Sequence, residues 1–118
     1  MSDRSAPEEL DYIEDMLEAA GKIERYTNGM TVEEFAADDK TVDAVLRNLE
    51  ILGEASKLIS DDIRAQEPTI PWSEMAGMRD KLIHGYATID LDIVWHTISE
   101  DIPSLRSSLQ SLAASLED

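Results

Sequence analysis

Val42-Asp43-Ala44-Val45-Leu46-Arg47-Asn48-Leu49-Glu50-Ile51-Leu52-Gly53-Glu54-Ala55-Ser56-Lys57 decides the fold. Its apolar residues return every three or four positions, not every second one. Val42, Val45, Leu46, Leu49, Leu52, Ala55 and the later Ile59 therefore line one face of a helix that begins after Asp38-Asp39. Such a stripe is stable only against other apolar faces. Arg47 and Glu54, seven positions apart, share another face as a polar strip, and Asn48 sits beside it.

Toward the N-terminus, Thr31-Val32-Glu33-Glu34 carries capping-box spacing and opens a short helix around Phe35. Before it, Ser5-Ala6-Pro7-Glu8-Glu9 reads as a helix start, with proline in the first turn and acids at the positive end of the dipole. Leu10, Ile13, Leu17, Ala20 and Ile23 form its stripe until Asn28-Gly29 stops it. Toward the C-terminus, Ser60-Asp61-Asp62 begins a short turn, and the two prolines of Glu67-Pro68-Thr69-Ile70-Pro71 impose irregular chain. A third long helix runs from Trp72 through Met75, Met78 and Leu82 toward His84, with Gly85 as its exit.

Asp90 caps the last helix, whose stripe is Val94, Ile98, Ile102, Leu105, Leu109, Leu112 and Leu116. Pro103 falls inside it while the stripe keeps its phase, so the pattern predicts a kinked helix and not a loop. Nothing alternates at period two for long enough to make a strand. The expectation is an all-α, up-and-down helical bundle with a kinked C-terminal helix. It forms one domain over 1–118, frayed at 1–7 and 117–118.

The chain has 118 residues and no cysteine, which excludes disulfides, thiolate metal sites and a cysteine nucleophile. Two histidines are too few for a histidine-rich metal cage. Glu14, Asp15 and Glu18, and Asp61-Asp62, read as solvated faces, so no metal and no cofactor is expected. No apolar run resembles a signal peptide or approaches the roughly 20 residues of a membrane span, so a cytoplasmic protein without a membrane partner is expected. The net charge of −16 argues against nucleic-acid binding through a broad basic surface. Its distribution is uneven, however. Arg47, Lys57, Arg64, Arg79 and Lys81 occupy the middle of the chain while acids dominate both ends, which allows a local cationic cleft on an acidic body.

Met78-Arg79-Asp80-Lys81-Leu82-Ile83-His84-Gly85-Tyr86 carries the chemistry. Arg79 supplies a charge that does not titrate. His84 moves protons near neutral pH, and a helix C-terminus favours its protonated form. Tyr86 can donate, accept or be modified. Positions 79 and 84 stand about 140° apart around an ideal helix, so they converge only if the last turn unwinds or a second copy of the domain takes part. Each residue has a structural competitor. Arg79 can serve in an ion pair, His84 as a helix-end cap, and Tyr86 as a half-buried aromatic.

An arginine, four residues, a histidine, one residue and a tyrosine resembles the signature of HEPN-domain ribonucleases. The run 47–57, Trp72, the run 76–84 and Asp90-Leu91-Asp92-Ile93-Val94-Trp95 narrow the likeness to the HepT-like toxins of toxin–antitoxin modules. The resemblance implies a homodimer with two motifs across a shared groove, cleavage of RNA and not DNA without a metal, and a MntA-like nucleotidyltransferase antitoxin that silences the toxin by transferring AMP to Tyr86. It assigns catalysis to Arg79, His84 and Tyr86, with Arg47, Asn48, Glu54 and Lys81 as substrate-binding candidates. The competing reading is a non-catalytic HEPN module that binds a nucleotide or serves as the helical partner of a minimal nucleotidyltransferase.

Overall fold

The computed structural model describes the backbone of residues 5–84 and 89–117, and the side chains of 8–80 and 89–117. The described residues form helices α1 (Ser5–Thr27), α2 (Val32–Ala37), α3 (Asp39–Ser56), α4 (Asp61–Arg64), α5 (Trp72–His84), α6 (Leu91–His96) and α7 (Ile102–Glu117). Helices α6 and α7 are joined without a break by a π-helical turn, Thr97–Asp101. The protein is all-α, and no strand occurs among the described residues. Its helices lie side by side in a body of 50 × 29 × 22 Å, with α3 against both α1 and α5, and α7 against α1.

Each boundary has a local cause. Gly29 adopts φ +78°, a left-handed conformation that glycine takes without a Cβ clash, and it turns the chain out of α1. Thr31 accepts from Glu34 N–H while its own N–H donates to the Glu34 carboxylate, closing the capping box at α2. Asp38 accepts from Thr41 N–H and from the Thr41 hydroxyl, and caps α3. These bonds, the backbone one first, hold the Asp38 carboxyl below its ordinary pKa. Asp90 accepts from Asp92 N–H at the start of α6.

Helix α3 ends at Ser56, one turn before the stripe residue Ile59, which is buried in the link to α4. The Arg64 guanidinium donates to the carbonyls of Ser56 and Ile59 and stands 5.9 Å over the Trp72 ring. One of the central cations is thus spent on capping α3 and seating the start of α5.

Ile13, Met16, Ala20 and Ile23 of α1 pack with Phe35, with Val45, Leu49 and Leu52 of α3, and with Ile102, Leu109 and Leu112 of α7 in one apolar core. On α1 the fully buried position is Met16; Leu17, expected in the stripe, is half-buried. Both residues satisfy a three-and-four spacing from Ile13 and Ala20, and packing against α3 and α7 selects between them.

The kink expected at Pro103 has a specific form. Ile102 N–H bonds to the Thr97 carbonyl, five residues back, and Pro103 has no N–H to return to Ser99. The widened turn also explains the stripe. Val94, Ile98 and Ile102 are spaced four and four, which would drift about 80° around a regular helix, and the π turn absorbs that drift.

Candidate active site

Helices α3 and α5 cross at a glycine. A Cβ placed on Gly53 would overlap Arg79 Cβ and stand 2.7 Å from the Met75 carbonyl oxygen, so the stem of Arg79 lies directly on the α3 backbone. Only hydrogen at position 53 leaves room for it. The guanidinium then reaches Glu54, the next residue of α3, with Nη2 at 2.8 Å from Oε1. Its Nη1 lies 3.3 Å from Asp80 Oδ1, and Lys57 Nζ donates to the same oxygen at 2.7 Å. Lys57, then Arg79, hold the Asp80 carboxyl below its ordinary pKa.

This crossing borders a cleft of about 310 Å³ between α1, α3 and α5, near the lower end of the range for small-ligand sites, about 300–1,000 Å³. Arg79, Glu54, Glu50 and Arg47 line it. Arg47 is largely exposed and stands 3.6 Å from Glu50. Arg79 is different, with only 25% of its side chain exposed. A guanidinium fixed by its stem and partly withdrawn from water is a better anion site than a free surface cation, because its fork is already oriented and charge interactions are less screened.

The structure therefore brings together Arg79, Arg47 and Glu54 of the residues expected at a site. It does not bring Asn48 to them. Asn48 is buried and donates through Nδ2 to the Ala44 carbonyl at 2.8 Å, a role internal to α3. The side chains of Lys81 and His84, and all of Gly85 and Tyr86, lie outside the described residues. The backbone of α5 remains helical through His84, so positions 79 and 84 stay on different sides of the helix within one chain. His96 is exposed on α6, next to the Trp95 that packs its ring on Phe35 with centroids 5.2 Å apart.

Tyr12, Asp15 and Gly53 were not legible as site residues. The first two belong to a helix whose pattern shows only packing and solvation. Within its own helix, Gly53 looks like a weak point. The signal that could have found it is a glycine seven positions after Leu46 and four after Leu49, on the packed face of α3, where a missing side chain lets another helix approach closely.

Fold and cleft together define an all-helical, HEPN-like domain that presents an oriented guanidinium at a helix crossing. A family model described as Ribonuclease HepT-like matches residues 16–112. A "Probable ribonuclease HepT" of Thermococcus cleftensis is 51% identical over 86% of this chain and 93% of its own. Two Methanocaldococcus jannaschii proteins named as RNases of putative status are 41% and 38% identical, each over 90% of this chain and 88% of its own. No solved structure matches the chain at a significant level. The chain belongs to the HepT-like ribonuclease family.

Proposed function

We propose that this protein is the endoribonuclease toxin of a toxin–antitoxin pair, acting as a homodimer without a metal. The observation that carries the reading is Arg79, preoriented at the α3–α5 crossing in a chain of the HepT-like ribonuclease family. RNA supplies its own nucleophile, the 2′-hydroxyl, so the protein has only to transfer protons and stabilise charge. Arg79 binds the phosphate through two parallel N–H bonds and offsets the charge that builds on its oxygens.

His84 takes the 2′-hydroxyl proton or delivers one to the leaving 5′-oxygen. The 2′-oxygen bonds to phosphorus as the P–O5′ bond breaks, leaving a cyclic phosphate and a free 5′-hydroxyl. The helical backbone through His84 supports a two-chain arrangement, with Arg79 and His84 of different subunits meeting across a shared groove. Tyr86 orients the phosphate or ribose. Transfer of AMP from ATP onto its phenolic oxygen by a nucleotidyltransferase antitoxin, with release of pyrophosphate, fills the groove with bulk and negative charge.

The test is cleavage of labelled RNA in EDTA by wild type, Arg79→Ala and His84→Ala, each checked by circular dichroism. His84→Ala should lose turnover and keep RNA affinity, whereas Arg79→Ala should lose both. A folded but inert wild type would favour the second reading, a non-catalytic HEPN module that binds a nucleotide or serves as the helical partner of a minimal nucleotidyltransferase. The engagement of Arg79 by Glu54 and Asp80 is the observation on that side.

A further inference from the structure

A phosphate site needs donors, yet much of the cleft beside Arg79 is of another kind. Tyr12 of α1 lines it together with Ile51, Ala55 and Leu58, contributing an aromatic ring and an aliphatic wall. Leu58 is half exposed, one of the few large apolar side chains left in water among the described residues. Asp15 lines the same cleft one helical turn from Tyr12, on the same side of α1. Glu50 and Glu54 are both engaged by arginines, but Asp15 has no ion pair or hydrogen bond among the described residues. An aromatic side chain, an apolar wall and an available carboxylate next to a phosphate-binding guanidinium match the needs of a nucleobase. Bases stack on aromatic rings and are read through hydrogen bonds to their edges.

We propose that the Tyr12–Asp15 part of the cleft is a nucleobase subsite, holding the base of the nucleotide whose phosphate meets Arg79, with guanine as the favoured base. The assignment rests on the reading of Arg79 as the phosphate site. Guanine N1–H and N2–H lie side by side and donate in parallel to the two oxygens of one carboxylate. Uracil offers a single imide N–H. Adenine and cytosine place a ring acceptor beside their amino group, against the carboxylate. Tyr12 gives affinity and Asp15 gives choice.

The test uses full-length protein and two short RNAs that differ only in one guanosine replaced by inosine, which lacks the N2 amine. Wild type should cleave at the guanosine and do so less efficiently at inosine. Tyr12→Ala should raise KM about tenfold with kcat nearly unchanged, while Tyr12→Phe behaves as wild type. Asp15→Asn should bring the guanosine-to-inosine ratio of kcat/KM close to one.

Cleavage indifferent to the base, or an unchanged KM in Tyr12→Ala, would overturn the subsite and leave the ribonuclease reading standing. A change of oligomeric state in Tyr12→Ala, measured by light scattering, would overturn it in favour of a subunit contact. If wild type cleaves neither RNA, the ribonuclease reading fails by itself. Calorimetry with GMP and IMP then decides the subsite. Tighter binding of GMP that is lost in Asp15→Asn supports it, and equal or absent binding rejects it.

Discussion

Helix α3 meets α1 and α7 through buried apolar side chains, whereas its contact with α5 adds a glycine crossing and ion pairs to the apolar packing of Trp72, Met75 and Met78. The two seams obey different rules. Toward α1 and α7 it shares a core in which Ile13, Met16, Val45, Leu109 and Leu112 are almost wholly out of water. Toward α5 it offers Gly53, against which the Arg79 stem lies, and the ion pairs Glu54–Arg79 and Lys57–Asp80. The side chains of the apolar seam themselves carry no titratable group. The polar seam fixes geometry more than it adds stability, since exposed pairs contribute little. Apolar packing thus carries most of the stability, while the Gly53 crossing and its ion pairs set the geometry of the site.

The largest effect on stability belongs to the apolar seam. Leu109→Ala leaves a cavity among fully buried side chains and should cost about 2–5 kcal/mol in urea unfolding. The surviving folded fraction should keep its activity per molecule. Gly53→Ala attacks the other seam. Relieving the overlap with Arg79 and Met75 pushes α5 away, at about 1–3 kcal/mol. RNA cleavage should fall further than the folded fraction does. Equal losses in the two quantities would end the distinction between the seams.

Acid should weaken the polar seam. The Asp80 pKa is depressed on folding by Lys57 and Arg79, so its contribution is present above the unfolded value and is lost as pH falls through the folded one. Asp80→Asn should therefore flatten the part of the acid-unfolding profile below about pH 4 that this group controls. Asp38, depressed by its bonds to Thr41, adds a similar slope at the α3 cap that the substitution leaves intact.

The smallest structural effect is expected from Glu54→Gln. Stability should change by no more than about 1 kcal/mol, because the carboxylate is mostly exposed. Phosphate binding should nonetheless tighten, as Arg79 loses a competing anion. Weaker binding would mean that Glu54 orients the guanidinium more than it occupies it.

The helix ends were readable because their causes are local. Thr31 and Glu34 are three apart, Asp38 and Thr41 likewise, and Gly29 needs only its own φ. The apolar stripes of α3 and α7 were readable for the same reason. The choice of Met16 over Leu17 was not, since it depends on what α1 meets. At the site, Arg79 was legible as chemistry, but its pairing with Glu54 joins residues 25 positions apart and depends on the Gly53 crossing. The π turn had a signal in the four-and-four spacing of Val94, Ile98 and Ile102, which the proline alone obscured.

That turn also sets how the gene can change. Thr97–Asp101 is, in effect, a helix carrying one codon more than regular winding needs. Deleting a codon there would let the turn close into ordinary helix, with α6 and α7 kept in register. A deletion a few codons downstream has no slack to draw on and would swing the rest of α7 by about 100°, carrying Leu109 and Leu112 out of the core. Length variants of this helix should therefore be tolerated at the π turn and rejected beyond Pro103.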